Sequence, residues 1–241
     1  LIGDAVLDEA NGVMVFKVSL TNPSSVAVTV DFATQDDTAT AGKDYLSTTG
    51  TITFPANTTV QYITVPVLDD NVYENDESFN VILTNAVNAE IADELGVGTI
   101  KDNDLPSIEI TNGQTTEGDY VDFVISLTNP SDKDITVSLT PTAGTATEGG
   151  DYNPQVEVLI NGVWTPANEA VIPAGETQIQ ARIKTQEDDV SEGKEEFTLT
   201  ATVLDGATVN GTVTGIGTII DDDGMPSILI GDAVLDEQNG V

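Results

Sequence analysis

Val13-Met-Val-Phe-Lys-Val-Ser-Leu-Thr-Asn-Pro23 decides how this chain folds. Met14, Phe16, Val18 and Leu20 occupy every second position, and a strand places such positions on one face. Asn22-Pro23 then ends the strand, because proline cannot donate to a ladder and asparagine favours turns. The period of two returns at Val26, Val28, Val30 and Phe32, at Ile63, Val65 and Val67, and at Phe79, Val81 and Leu83. Pro55-Ala-Asn57 and Asp70-Asn71 mark further turns. No 3.6-residue pattern competes. About seven short, half-buried strands in a unit of this size predict a β-sandwich.

The opening stretch has a second copy. Val18-Ser-Leu-Thr-Asn-Pro23 matches Ile125-Ser-Leu-Thr-Asn-Pro130, and Gly42-Lys-Asp-Tyr45 matches Gly149-Gly-Asp-Tyr152, both 107 residues on. Phe54-Pro-Ala56 matches Ile172-Pro-Ala174, and Glu74, Glu77 and Phe79 match Glu192, Glu195 and Phe197, now 118 residues on. The second unit therefore carries 11 extra residues between these landmarks. Gly98-Thr-Ile-Lys-Asp-Asn-Asp104 matches Gly217-Thr-Ile-Ile-Asp-Asp-Asp223, and Leu1-Ile-Gly-Asp-Ala-Val-Leu-Asp-Glu9 returns unchanged as residues 229–237. Such self-similarity is the mark of a repeat protein. The expected architecture is all-β: two tandem immunoglobulin-like antiparallel β-sandwiches of about seven strands each, over 1–104 and 105–224. Residues 225–241 would be the first strand of a third repeat. The extra residues predict a hairpin near 154–166, because Asn161-Gly162 lies between apolar runs. The joins Asp104-Leu-Pro106 and Asp223-Gly-Met-Pro226 are short and stiffened by proline, unlike a flexible Gly/Ser linker.

Composition narrows the chemistry. The 241 residues include 7 Lys+Arg and 41 Asp+Glu, a net charge of −34. Such a chain repels nucleic acid and anionic membrane and attracts cations. Hydrophobic residues make up 39%, enough for packed cores, but aromatics only 5%, so the cores are mostly aliphatic. There is no Cys and no His. Disulfides, thiolate and imidazole catalysis, and the usual zinc, copper and iron ligands are thereby excluded. No apolar run approaches the roughly 20 residues of a membrane span, so direct membrane insertion is not expected. Acidity alone also serves solubility and halophilic life, but here the acids are clustered.

Four acidic elements recur in each unit. In the first they are Glu9, Asp44, the run holding Asp69, Asp70, Glu74 and Glu77, and the terminal Asp102-Asn103-Asp104. In the second they are Glu117, Asp151, the run holding Asp188, Asp189, Glu192 and Glu195, and Asp221-Asp222-Asp223. Neighbouring carboxylates at strand ends repel one another unless water or a cation intervenes. Calcium takes six to eight oxygens, and convergent loops of a sandwich can supply them. Paired acids such as Glu74 and Glu77 can also serve a glycosidase. With no His, Cys or basic cluster beside them, they are read as cation ligands and the chain as no enzyme. Tyr45 and Tyr152 are read as packing residues, and Trp164 as an edge-packing residue of the inserted hairpin.

Gly42-Lys-Asp44-Tyr45, Gly50-Thr-Ile-Thr-Phe54, Val67-Leu-Asp69-Asp70-Asn-Val-Tyr-Glu74-Asn-Asp-Glu77-Ser-Phe79 and Gly98-Thr-Ile-Lys-Asp102-Asn-Asp104 together resemble the Calx-beta domain, and the second unit repeats the pattern. The resemblance implies a seven-stranded sandwich with calcium clustered at one end. The implied ligand positions are Glu9, Asp44, Asp69, Asp70, Glu74, Glu77 and Asp102 to Asp104. In the second unit they are Glu117, Asp151, Asp188, Asp189, Glu192, Glu195 and Asp221 to Asp223. Glu187 replaces the counterpart of Asp69 in the second unit. Asn71 and Asn103 stand where the pattern has acids and bring a carbonyl oxygen but no charge, so the first unit is expected to hold fewer or weaker ions than the second. The family occurs in sodium–calcium exchangers, an integrin subunit and large bacterial surface adhesins. The expected role is an extracellular, calcium-stiffened spacer in a bacterial cell-surface adhesin of the repeats-in-toxin type. Its partners would be calcium, neighbouring repeats and a host-surface or biofilm ligand. The alternatives are a calcium-dependent glycan- or protein-binding module and a calcium-sensor pair.

Overall fold

A computed structural model of the chain describes residues 1–232. Among them the fold is all-β, apart from one turn of 3-10 helix at Glu9–Asn11. The first unit holds β1 (Ala5–Asp8), β2 (Val13–Ser19), β3 (Val28–Asp36), β4 (Thr49–Phe54), β5 (Val60–Pro66), β6 (Glu77–Val87) and β7 (Leu95–Lys101). One sheet runs β1-β7-β6-β3-β4, and β2 pairs with β5 opposite it. In β2 the alternation is literal: Met14, Phe16 and Val18 are buried, while Val13, Val15 and Lys17 face solvent. Phe16 lies opposite Ile63 of β5, so two inward positions meet.

The first strand serves both sheets. Ile2 bridges Val18 of β2, and after Gly3 and Asp4 the chain crosses to run as β1 along β7. That pair is parallel, with Ala5 opposite Gly98. Strands that reverse at every turn give the first and the seventh the same direction, so as neighbours they cannot be antiparallel.

The second unit repeats the plan with the first strand split. It holds β8 (Ile108–Ile110), β9 (Gly113–Thr116), β10 (Tyr120–Leu127), β11 (Ile135–Ala143), β12 (Tyr152–Ile160), β13 (Val163–Pro166), β14 (Glu169–Ile172), β15 (Gln178–Thr185), β16 (Glu195–Asp205) and β17 (Thr212–Ile220). Its sheets run β13-β12-β15-β10-β8 and β14-β11-β16-β17-β9. Strands β12 and β13 pair about Asn161-Gly162, whose φ values of 51° and 78° suit the tight turn of a two-residue hairpin. The Arg182 guanidinium lies over the Trp164 ring of β13, 4.2 Å from its centroid, and over the Tyr120 ring at 3.8 Å. Glu157 accepts from Arg182 Nε and Nη2 at 2.7 Å each. The only tryptophan thus pins an edge strand to its sheet.

Each unit buries its own core. The tyrosine of each Gly-x-Asp-Tyr stretch plugs the core beneath the acidic loops. Tyr45 stacks on Phe79 at 4.2 Å and Tyr152 on Phe197 at 4.5 Å. The Tyr45 hydroxyl donates to Asp36 at 2.6 Å. The Tyr152 hydroxyl is buried without a partner, because Ala143 stands where the first unit has Asp36. Gly98 leaves room for these rings: a Cβ there would lie 2.7–2.8 Å from Met14 Sδ, Phe16 and Phe79.

The units touch directly at their join. The Tyr73 N–H donates to Pro130 O, and the Asp132 N–H donates to Tyr73 O, both at 2.9 Å. Asn129 Nδ2 donates to Asp104 O. Pro106 O accepts from Val209 N at 2.8 Å, and Ile108 is bonded through N–H and C=O to the Asn210 side chain. Only Leu105 lies between these anchors. Residues 225–232 are not in strands, and 233–241, with much of the strand expected over 225–241, lie outside the described residues.

Candidate metal centres

Because successive strands reverse, the end of β1, the start of β6 and the end of β7 meet at one end of the first sandwich, beside the chain leaving β5. Glu9 opens the 3-10 turn that follows β1, with Asp8 capping Ala10 N–H and Gly12 closing the turn at φ 72°. Asp44 lies in the turn before Tyr45, where its Oδ2 accepts from Thr40 N–H at 2.7 Å. Asp69 and Glu74 follow β5, Glu77 begins β6, and Asp104 follows β7. The second unit places Glu117 after β9, Asp151 before β12, Glu192 in the loop before β16, Glu195 at its start, and Asp221 and Asp223 after β17.

These residues close into four carboxylate triads, two per unit. They are Glu9, Asp69 and Asp104; Asp44, Glu74 and Glu77; Glu117, Asp221 and Asp223; and Asp151, Glu192 and Glu195. Within each triad the donor oxygens lie within 4.8 Å of one another. Glu9 and Asp44 are buried, 8% and 6% exposed, which is costly for a charge without a partner. Twelve of the seventeen expected ligands are brought together in this way.

Asp70, Asp102, Asp188, Asp189 and Asp222 are outside the triads. Asp70 Oδ1 accepts from Val72 N–H and Asp188 Oδ1 from Val190 N–H, each at 2.7 Å, so both fold their own loops. Asp102 takes the Glu74 N–H at 3.0 Å and the Asp104 N–H at 3.3 Å. Asp222 offers its N–H to Glu117 at 3.4 Å. The units also differ in which acid completes the first triad. Asp69 does so in the first, whereas its counterpart in the second is Glu187 and the place is taken by Asp221, the counterpart of Asp102.

Crowding shows in the proton affinities. Burial, with the negative charges of Asp102, Asp104 and Asp70, pushes Glu9 up to about 7 from 4.5. Burial and Asp44 push Glu77 to about 7. Burial and Asp151 do the same to Glu195. Burial and neighbouring acids also raise Glu117 and Asp223. Carboxylates that hold protons so tightly have too little positive charge nearby to offset burial and their acidic neighbours.

A hard cation fits this lack. Asp104 Oδ2, Asp221 Oδ1 and Asp223 Oδ2 are buried with no hydrogen-bond donor. An oxygen left so is costly, and calcium satisfies several oxygens at once without demanding rigid geometry. The donors are all oxygen, which favours calcium over zinc or copper.

One participant escaped the sequence reading. Lys43 Nζ lies against Glu74 and 3.5 Å from Asp44, so an ammonium already sits on the second triad of the first unit. The hydrogen bond to Glu74, despite burial, raises its proton affinity. The matching residue in the second unit is Gly150, and Lys194 pairs instead with Glu196 at 2.9 Å, away from the triad. The replacement of lysine by glycine was the available signal.

Comparison with known proteins adds the lineage. The Calx-beta domain model matches residues 3–104 and again 101–223. Sodium/calcium exchanger 1 of Rattus norvegicus is 38% identical over 90 residues, which is 37% of this chain and 9% of the exchanger. Sodium/calcium exchanger Calx of Drosophila melanogaster is 39% identical over 61 residues, 25% of this chain and 6% of that protein. The chain thus spans less than a tenth of the length of these relatives. Among solved structures, the apo-form Calx CBD1 domain is 30% identical at a TM-score of 0.41, covering 42% of this chain and 92% of that one. The CBD12 of CALX1.2 is 21% identical at a TM-score of 0.41, covering 83% and 77%.

Proposed function

This chain belongs to the Calx-beta family, and we propose that it is an extracellular calcium-binding repeat module, a spacer in a bacterial cell-surface adhesin that calcium stiffens. The observation that carries the reading is the join. The loop bearing Asp69, Glu74 and Glu77 is the same loop whose Tyr73 is bonded to Pro130 and Asp132 of the next unit. A cation that draws Asp69 and Asp104 onto Glu9 fixes both the strand leaving the first unit and the loop leaning on the second. Without it the carboxylates repel and that loop loosens. The return of residues 1–9 at 229–237 supports a serial array.

Glu9, Asp69 and Asp104 with Asp44, Glu74 and Glu77 would hold the ions in the first unit. Glu117, Asp221 and Asp223 with Asp151, Glu192 and Glu195 would hold them in the second. Calcium supplies positive charge and oxygen coordination only. The residues do the rest: Asp102 fixes Glu74 through its N–H, and the main chain from Thr40 to Tyr45 holds Asp44 in place. Extracellular calcium modules typically bind at about 0.1–1 mM, so a calcium-rich exterior saturates such sites.

A second reading, a calcium-sensing pair, is supported by the exchanger relatives. A glycan-binding role has weaker support, since Trp164 is engaged by Arg182. Calorimetric calcium titration with small-angle scattering in calcium and in chelator tests the proposal. Millimolar binding that lengthens or stiffens the particle is the expected result. No heat of binding and an unchanged scattering profile would sink it.

A further inference from the structure

The two joins are not alike. Between the first and second units, Asp104 O is held by Asn129 and Pro106 O by Val209, so Leu105 is the one residue between anchors. Tyr73 adds its pair of main-chain bonds to Pro130 and Asp132. The later join, Asp223-Gly-Met-Pro226, has one more residue than Asp104-Leu-Pro106, and the extra residue is Gly224. The residue matching Tyr73 is Ser191.

One added residue displaces the next unit by up to about 3.5 Å. Hydrogen bonds tolerate only a few tenths of an ångström around 2.9 Å, so the receiving loop of that unit falls out of register. Gly224 also adds two permissive dihedrals, while Met225 before Pro226 is restricted just as Leu105 is before Pro106. Ser191 brings no ring to cover the contact. The repeat returns to Leu-Ile-Gly-Asp-Ala-Val-Leu-Asp-Glu at 229–237, the start of a first-type unit and not of a second-type one.

We infer that the array alternates two kinds of join: units of the first and second type are latched into rigid pairs through Tyr73 and Asn129, and successive pairs are hinged at Gly224. This rests on the reading of the chain as part of a serial array. The flexible element of such an array therefore recurs once per two domains.

The test uses the repeat itself. Because 229–237 equals 1–9, residues 1–228 can be joined seamlessly to a second copy of 1–241. The chain has no cysteine, so Thr64→Cys and Gln180→Cys, both at exposed strand positions, accept spin labels. Labels within the first copy span the Asp104 join. Gln180→Cys in the first copy with Thr64→Cys in the second spans the Gly224 join. In chelator, the second distance distribution is expected to be at least about twofold wider, given two freed glycine dihedrals. Inserting a glycine between Asp104 and Leu105 should widen the first to match, with both melting transitions retained. Equal widths at the two joins, or no effect of the insertion, overturn the inference. A calcium arm separates it from the spacer reading: distributions that ignore calcium but differ between joins refute stiffening and leave the alternation standing.

Discussion

In the metal-free protein, stability falls as pH rises from 5 to 8. Glu9, Glu77 and Glu195 titrate near 7 in the fold against an ordinary 4.5. Their folded values are raised, so between 4.5 and 7 the fold holds protons that the unfolded chain has released. The contribution is fully present below 4.5 and is lost as pH climbs through 7. A displacement from 4.5 to about 7 amounts to about 3 kcal/mol per carboxyl at full strength, at about 1.4 kcal/mol per pH unit. Solvent at the mouths of the sites cuts this to about 1 kcal/mol each. The first unit holds two such groups and the second one. At roughly 4–8 °C per kcal/mol for a domain of this size, the first unit should melt about 10 °C lower at pH 8 than at pH 5, and the second about half that. Saturating calcium replaces the protons and removes the fall, adding about 2.7 kcal/mol per site at 100 times the dissociation constant. Calorimetric melting at pH 5, 6, 7 and 8, in excess chelator and in calcium, reads both effects. General self-repulsion of an acidic chain also grows with pH, so the deciding variant is Glu77→Gln. It cannot ionise, and it should halve the pH dependence of the first unit while leaving the second unchanged. A melting point that is flat or rises from pH 5 to 8 in chelator would refute the reasoning, as would a Glu77→Gln variant with the full dependence.

Three further outcomes rest on single residues. Lys43→Ala removes the ammonium from Asp44 and Glu74; titration calorimetry should then show tighter calcium binding in the first unit, and chelator melting should show a lower metal-free stability. Ala143→Asp gives the buried Tyr152 hydroxyl the acceptor that Asp36 gives Tyr45, and should raise the second unit's stability by about 1 kcal/mol in denaturant unfolding. Gly98→Ala presses a methyl into Met14, Phe16 and Phe79 and should cost about 1–3 kcal/mol by the same assay, with calcium binding weakened only as far as β7 shifts.

How much the letters reveal depends on where the interactions lie. The sandwich was legible because burial on one sheet face imposes a period of two, and Met14, Phe16 and Val18 obey it. The acidic ends were legible because charge is written in side chains and both units repeat it. Which acid aims inward was not. Asp69 and Asp221 enter the triads while Asp102 and Asp188 bond to nearby N–H groups, a choice made by backbone direction over a single turn. Lys43 was hidden for a related reason: a flexible four-carbon stem reaches Glu74 across 31 positions. The latch between units is harder still. Its bonds from Tyr73 to Pro130 and Asp132 join main chain to main chain, and every residue except proline offers the same N–H and C=O. Such a contact leaves one trace in a sequence, the length of the segment that brings its halves together. That is why the inferred hinge rests on Gly224, a residue with no side chain, and on the one-residue difference in length between the two joins.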